Sequence, residues 1–182
     1  MALTTQNSLL LTNLLKYYNE NNTLDTMLSI INGSSNISLR IVDWFSTNYA
    51  KKNYTVYSLK NGRRFKVYED YKLKLRAYSK KRFDPFCRWE RITIPYTNGS
   101  HIQTTIGQLN FFKWALENEV IDYITKHYSS IENDMNNRNS SSRKKNDTSN
   151  LNSKTRKKRE ELSVSATKTI KKEDIEIVVS FK

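Results

Sequence analysis

Asparagine followed by glycine stands twice between β-prone runs, at Asn61-Gly62 and at Asn98-Gly99, and these pairs constrain the fold more than anything else in the chain. Both positions of a two-residue hairpin turn need positive φ, which Asn and Gly adopt most readily, so each pair predicts two antiparallel strands. The first turn separates residues 54–60 from residues 63–68. The second lies within residues 97–100, between residues 91–96 and 101–104. Pro95 has no amide proton to donate and predicts an edge position for its strand.

Each hairpin leads into a helical pattern. Over residues 69–82, Tyr71, Leu75 and Tyr78 repeat at helical spacing behind Val67 or Tyr68, until Asp84-Pro85 ends the run. Thr105-x-x-Gln108 has the form of a capping box. It opens a long helix to about Tyr128, with Leu109, Phe112, Leu116, Val120 and Tyr123 on the core face and Trp114, Ile121 and Ile124 widening it. Three shorter helices precede the hairpins. The first, over residues 7–18, carries Leu10, Leu11, Leu14, Leu15 and Tyr18. The second is capped by Thr23, carries Leu24, Met27, Leu28 and Ile31, and is closed by Gly33. The third, over residues 38–49, carries Leu39, Val42, Phe45 and Tyr49.

The fold class is therefore α+β: N-terminal helices, then two β-hairpins each followed by a helix, in a compact domain of residues 5–135. Residues 136–170 are dominated by Asn, Ser, Lys and Arg, which cannot offset the entropy of ordering, so they are expected to form a disordered basic tail. In residues 171–182, Ile175, Ile177, Val179 and Phe181 alternate as in a short, half-buried strand.

Charge supplies the functional lead. The chain has 31 Lys and Arg against 18 Asp and Glu, a net +13. Residues 51–91 alone hold fourteen cations against four acids, whereas residues 1–50 and 92–132 are each slightly acidic. Abundant Asn, Lys, Ile and Tyr with scarce Gly, Pro and Ala is the bias of AT-rich coding, and it inflates lysine everywhere. It does not favour arginine, yet Arg63, Arg64, Arg76, Arg82, Arg88 and Arg91 all fall in the basic stretch.

A concentrated positive charge predicts a polyanionic partner, DNA or RNA, bound through its phosphates. The expected contacts are Arg63, Arg64 and Lys66 on the first hairpin, with Lys72, Arg76, Lys80, Lys81 and Arg82 along the following helix, where Lys72, Arg76 and Lys80 form one stripe. Exposed aromatics could add stacking on unpaired bases. The plainer reading of Tyr71, Tyr78, Phe83, Phe86 and Trp89 is that most of them are core.

In the tail, Arg143-Lys144-Lys145 and Arg156-Lys157-Lys158-Arg159 are ten residues apart, the pattern of a bipartite nuclear localisation signal read by an import receptor. A nonspecific nucleic-acid arm is the alternative. Residues 174–179 have the pattern of a SUMO-interacting strand, against the plainer reading of a strand returning to this domain's own sheet.

Catalysis has little to stand on. His101 and His127 are the only histidines, and Gly33, Gly62, Gly99 and Gly107 make no phosphate loop. Cys87 beside Arg88 reads as a buried structural cysteine rather than a nucleophile, and a lone cysteine builds no disulfide. Glu69-Asp70-x-Lys72 resembles the acid-x-lysine element of metal-dependent nucleases but lacks an upstream strand acid. No enzyme activity, metal, cofactor or small-molecule substrate is expected. Without an 18-residue apolar run or a basic, apolar leader, neither a membrane partner nor secretion is expected.

Residues 65–71, residues 77–88 and residues 104–115, preceded by Asp43-Trp44-Phe45-x-Thr47-Asn48-Tyr49, resemble a family of small basic proteins of giant nucleocytoplasmic large DNA viruses. The resemblance spans about residues 38–135. It implies a viral source, with a location in the virion or inside the host cell, in the nucleus or viral factory. It carries no activity and no functional residues to this chain. The reading is a nonenzymatic nucleic-acid-binding protein. The alternative is a virion structural or host-interaction adaptor, partnered by virion proteins, whose charge serves solubility.

Overall fold

A computed structural model describes residues 5–96, 99–147 and 172–173. The first helix, α1 (Thr5–Asn21), buries Leu14 and Tyr18. The Tyr18 hydroxyl donates to the Leu109 carbonyl at 2.7 Å, so this deeply buried phenol has its partner. Helix α2 (Leu24–Ile31) follows. Thr23 precedes it but does not cap it: its backbone (φ −103°, ψ 0°) is not extended, and its hydroxyl does not reach the free amides. Gly33, at φ +75°, turns the chain out, and the Ser34 and Ser35 amides both donate to the Ser29 carbonyl at 3.0 Å. Ser38 caps α3 (Leu39–Trp44), which continues through a π-helical turn, Phe45–Tyr49, into α4 (Ala50–Lys52). The Ser46 and Thr47 hydroxyls donate to the carbonyls of Val42 and Asp43 across that turn.

The first hairpin pairs β1 (Val56–Ser58) with β2 (Arg64–Lys66), Tyr57 opposite Phe65. Its connection is not the expected two-residue turn. The Leu59 amide donates to the Arg63 carbonyl (2.9 Å) and the Gly62 amide to the Leu59 carbonyl (2.8 Å), leaving a three-residue loop in which Gly62, at φ +79°, is left-handed and Asn61 is not. Asn61 acts through its side chain instead, accepting from the Arg63 amide at 3.0 Å.

Helix α5 (Val67–Arg82) starts at once and buries Val67 and Tyr71. It is not continuous: Ser79 lies at φ 60°, ψ 165°, and kinks it one turn before its end. The second hairpin pairs β3 (Arg91–Pro95) with β4 (His101–Thr105) in the register Arg91↔Thr105 to Pro95↔His101. The short β5 (Lys172–Glu173) pairs antiparallel with the other side of β4. Strand β3 is thus at an edge, where Pro95 loses no ladder bond. The alternating residues 175–181 lie outside the described residues.

Thr105 opens α6 (Ile106–Glu117), its hydroxyl accepting from the Gln108 amide at 3.2 Å. The long helix expected to Tyr128 is instead two, α6 and α7 (Val120–Lys126), and a further helix, α8 (Tyr128–Asp147), begins where it was expected to end. The first break falls at Asn118 and left-handed Glu119 (φ 55°). Helical periodicity continues across it, but both residues are engaged by the first hairpin, as described below. Helix α8 runs to Asp147, past the boundary at 135 and into the tail expected to be disordered. Ile131 and Met135 anchor its start, and extending a nucleated helix costs far less than starting one. Between these layers lies an aromatic core in which Phe83 meets Phe111 (5.6 Å) and Trp114 (5.7 Å), while Tyr71 meets Trp114 (5.9 Å). The observed class is the expected α+β, with each hairpin running into a helix.

Candidate functional site

The first hairpin's tip is docked onto the α6–α7 junction. Arg63 donates from Nη2 to the Asn118 side-chain oxygen at 3.0 Å, and the Tyr57 hydroxyl donates to the Asn118 carbonyl at 2.7 Å. The Lys60 amide donates to the Glu119 carboxylate at 2.9 Å, and the Lys60 ammonium stands 3.8 Å from Asp122. Arg63, expected as a phosphate contact, is therefore partly committed to holding the fold. Arg64 and Lys66 flank buried Phe65 and face solvent, Lys66 lying 3.3 Å from Glu69.

Lys72 and Arg76 are exposed together on α5, with Leu73, 62% exposed, between them. The kink at Ser79 takes Lys80 out of their line, so the expected three-residue stripe ends at Arg76. Lys80 and Lys81 are exposed and Arg82 is half-buried. Lys80 lies 3.9 Å from Asp84. Among the described residues, Arg64, Lys72, Arg76, Lys81 and Arg82 have no carboxylate within 4.0 Å. Of the eight expected contacts, Arg63, Arg64 and Lys66 thus sit on a docked hairpin, Lys72 and Arg76 on the body of α5, and Lys80, Lys81 and Arg82 beyond its kink, where the loop to β3 begins.

That loop is held from below by α6. The Asp84 carboxylate accepts from the Phe86 amide (2.8 Å), and the Asp84 carbonyl accepts from the Cys87 amide (3.1 Å). The Asn110 side chain donates to the Arg82 carbonyl (2.9 Å), and Gln108, fully buried, donates to the Pro85 carbonyl (3.2 Å). The buried Cys87 thiol donates to the Lys81 carbonyl at 3.4 Å. Gly107 is needed for this approach: a Cβ there would stand 3.0 Å from both the Lys81 carbonyl and the Cys87 Cβ. Residues 77–88 and 104–115, two segments of the resemblance noted above, are the ones that meet here.

Above this support the loop presents Trp89, 74% exposed. Left-handed Glu90 (φ 53°) follows, its carboxylate accepting from the Asn7 side chain at 3.3 Å. Lys80, Lys81, Asp84, Phe86, Arg88 and Trp89 line an open cleft of about 640 Å³. Sequence reasoning set Trp89 among aromatics read mainly as core and left Arg88 out of the site. The available signal was its setting, between Arg88 and the charged pair Glu90-Arg91. Tyr71 and Phe83 are core as expected.

Other singled-out groups have structural partners. Asp70 accepts from the Trp114 indole at 2.7 Å, which occupies the acid of the nuclease-like pattern. Burial, then the nearby Asp84 carboxylate, pushes the Asp43 carboxyl up to about 6, against the opposing pull of Lys80. Among the described residues no three of His, Cys, Asp and Glu converge as metal ligands, and no helix is long and apolar enough to cross a membrane. Arg143, Lys144 and Lys145 fall on the helical backbone of α8, while Arg156, Lys157, Lys158 and Arg159 and the SUMO-like residues 174–179 lie outside the described residues.

Comparison with known proteins gives a family and no activity. The model of a family of unknown function, DUF7197, matches residues 2–182. "Uncharacterized protein L507" of Acanthamoeba polyphaga mimivirus is 47% identical over 128 residues, covering 66% of this chain and 49% of that protein, so the chain spans about half the length of this giant-virus relative. No solved structure matches the chain.

Proposed function

The chain belongs to DUF7197, a family of unknown function, and we propose that it is a nonenzymatic nucleic-acid-binding protein that grips the phosphate backbone with the cations of residues 63–88. The observation that carries this reading is the solvent-facing, unneutralised state of the cations. Arg64, Lys72, Arg76 and Lys81 are exposed with no carboxylate within 4.0 Å among the described residues. A chain using charge only for solubility gains nothing from concentrating it between two acidic flanks, since dispersed like charges repel less. Phosphate contacts release counterions and give affinity without sequence readout.

The test is a fluorescence-anisotropy titration of the full chain against duplex and single-stranded probes at two salt concentrations. About five phosphate contacts give a log–log slope near −4 to −5 on duplex, a loss of roughly 500-fold in affinity over a fourfold rise in salt. Binding that ignores salt, or no binding at low salt, would refute the reading.

A further inference from the structure

Two features of the loop after α5 point beyond phosphate binding. A large apolar ring, Trp89, stands 74% exposed at the end of a loop pinned by buried amides, so its exposure belongs to a fixed surface. The ring also borders a cleft whose walls carry three cations, Lys80, Lys81 and Arg88, against one acid, Asp84, already beside Lys80. The neighbouring Glu90 carboxylate is held by Asn7. A single exposed tryptophan needs no explanation by itself. One that shares a cation-lined cleft of about 640 Å³ with half-buried Phe86 has the makings of a base-stacking platform with phosphate ligands at its rim.

Resting on the nucleic-acid reading above, we infer that this cleft takes an unpaired nucleotide of a single strand, its base stacked on the Trp89 indole and its flanking phosphates on Lys81 and Arg88. In a duplex the bases are stacked on each other and do not offer a face to the indole, whereas every unpaired base does. The protein therefore discriminates strandedness, not sequence, at this point. The hairpin and α5 cations carry the salt-dependent hold common to both forms.

The experiment uses the full chain and its natural reporter. Trp114 is 3% exposed and Trp44 is half-buried with its indole N–H donated to Asp134, so iodide quenching of tryptophan fluorescence reads mainly Trp89. A short oligothymidylate should shield Trp89 from iodide, and Trp89→Ala should lower the ratio of single-strand to duplex affinity roughly tenfold or more, while Trp89→Phe, which keeps an aromatic face, retains most of it. Circular dichroism of the variants guards against misfolding. An unchanged ratio in Trp89→Ala, with duplex binding and its salt slope intact, overturns the stacking site and leaves the phosphate reading standing. No binding of either probe by the wild type brings down both. Protection of Trp89 by anionic phosphatidylglycerol vesicles but not by the oligonucleotide also overturns it, in favour of a lipid surface.

Discussion

Asp43 shows how one carboxyl can set the pH response of the fold. It sits partly buried on α3, and its pKa is raised to about 6 by burial and by Asp84. A carboxyl with a raised folded-state pKa keeps its proton in the native state while the unfolded chain has lost it. It therefore makes the protein less stable as pH rises from about 4 to about 6, with no further change above. Asp43→Asn should stabilise the chain by about 1–3 kcal/mol at pH 7 and by nothing measurable at pH 4 in urea unfolding. Equal effects at both values would contradict this account of Asp43. Ser79 makes a second residue-scale case. Its φ 60°, ψ 165° conformation is one that glycine adopts freely and other residues adopt at a cost of about 1–3 kcal/mol. Ser79→Gly, even after the extra unfolded-state entropy, is expected to raise stability by about 0.5–1 kcal/mol. A loss of stability would mean that the kink is unstrained.

At the scale of elements, two junctions hold the candidate surface in place, and both are made by amide side chains on or next to α6. Asn118 joins the first hairpin to the helix break, accepting from Arg63 and donating to the Trp114 carbonyl while 93% shielded. Asn118→Ala removes both side-chain bonds but leaves the Trp114 carbonyl its Asn118 backbone amide and Arg63 its solvent, so it is expected to cost about 1–2 kcal/mol, against near zero if the hairpin is held by Tyr57 and Phe65 packing alone. Gly107→Ala pushes a methyl into the loop after α5 and is expected to cost about 1–3 kcal/mol, with a larger loss of single-strand than of duplex binding. Hairpins, edge strand and helix faces were legible because periodicity and turn chemistry are local. The break at Asn118-Glu119 was not, since no local signal interrupts the pattern and hydrogen bonds from residues some sixty positions away decide it. The same limit applies to the site. Composition picked out the exposed cations, but the exposure of Trp89 and the inclusion of Arg88 depend on Gln108, Asn110 and Gly107 fixing a loop from another element.

On the scale of the whole molecule, the chain divides labour between a hydrophobic frame and a charged middle third. Residues 1–50 and 92–132 supply most of the helices and much of the core, and the basic stretch adds Phe65, Tyr71 and Phe83 to that core while turning most of its cations outward. The chain's net +13 makes binding to a polyanion strongly dependent on ionic strength, so salt is the natural probe of the central claim. The most direct measurement is the log–log salt slope of duplex affinity for the wild type beside the variant with Arg64, Lys72, Arg76 and Lys81 all changed to Ala. Each lost phosphate contact removes about one unit of slope, so the variant should fall from near −4 or −5 to about −1 while unfolding like the wild type. A variant that keeps the wild-type slope would contradict the account and place the phosphate contacts elsewhere on the chain.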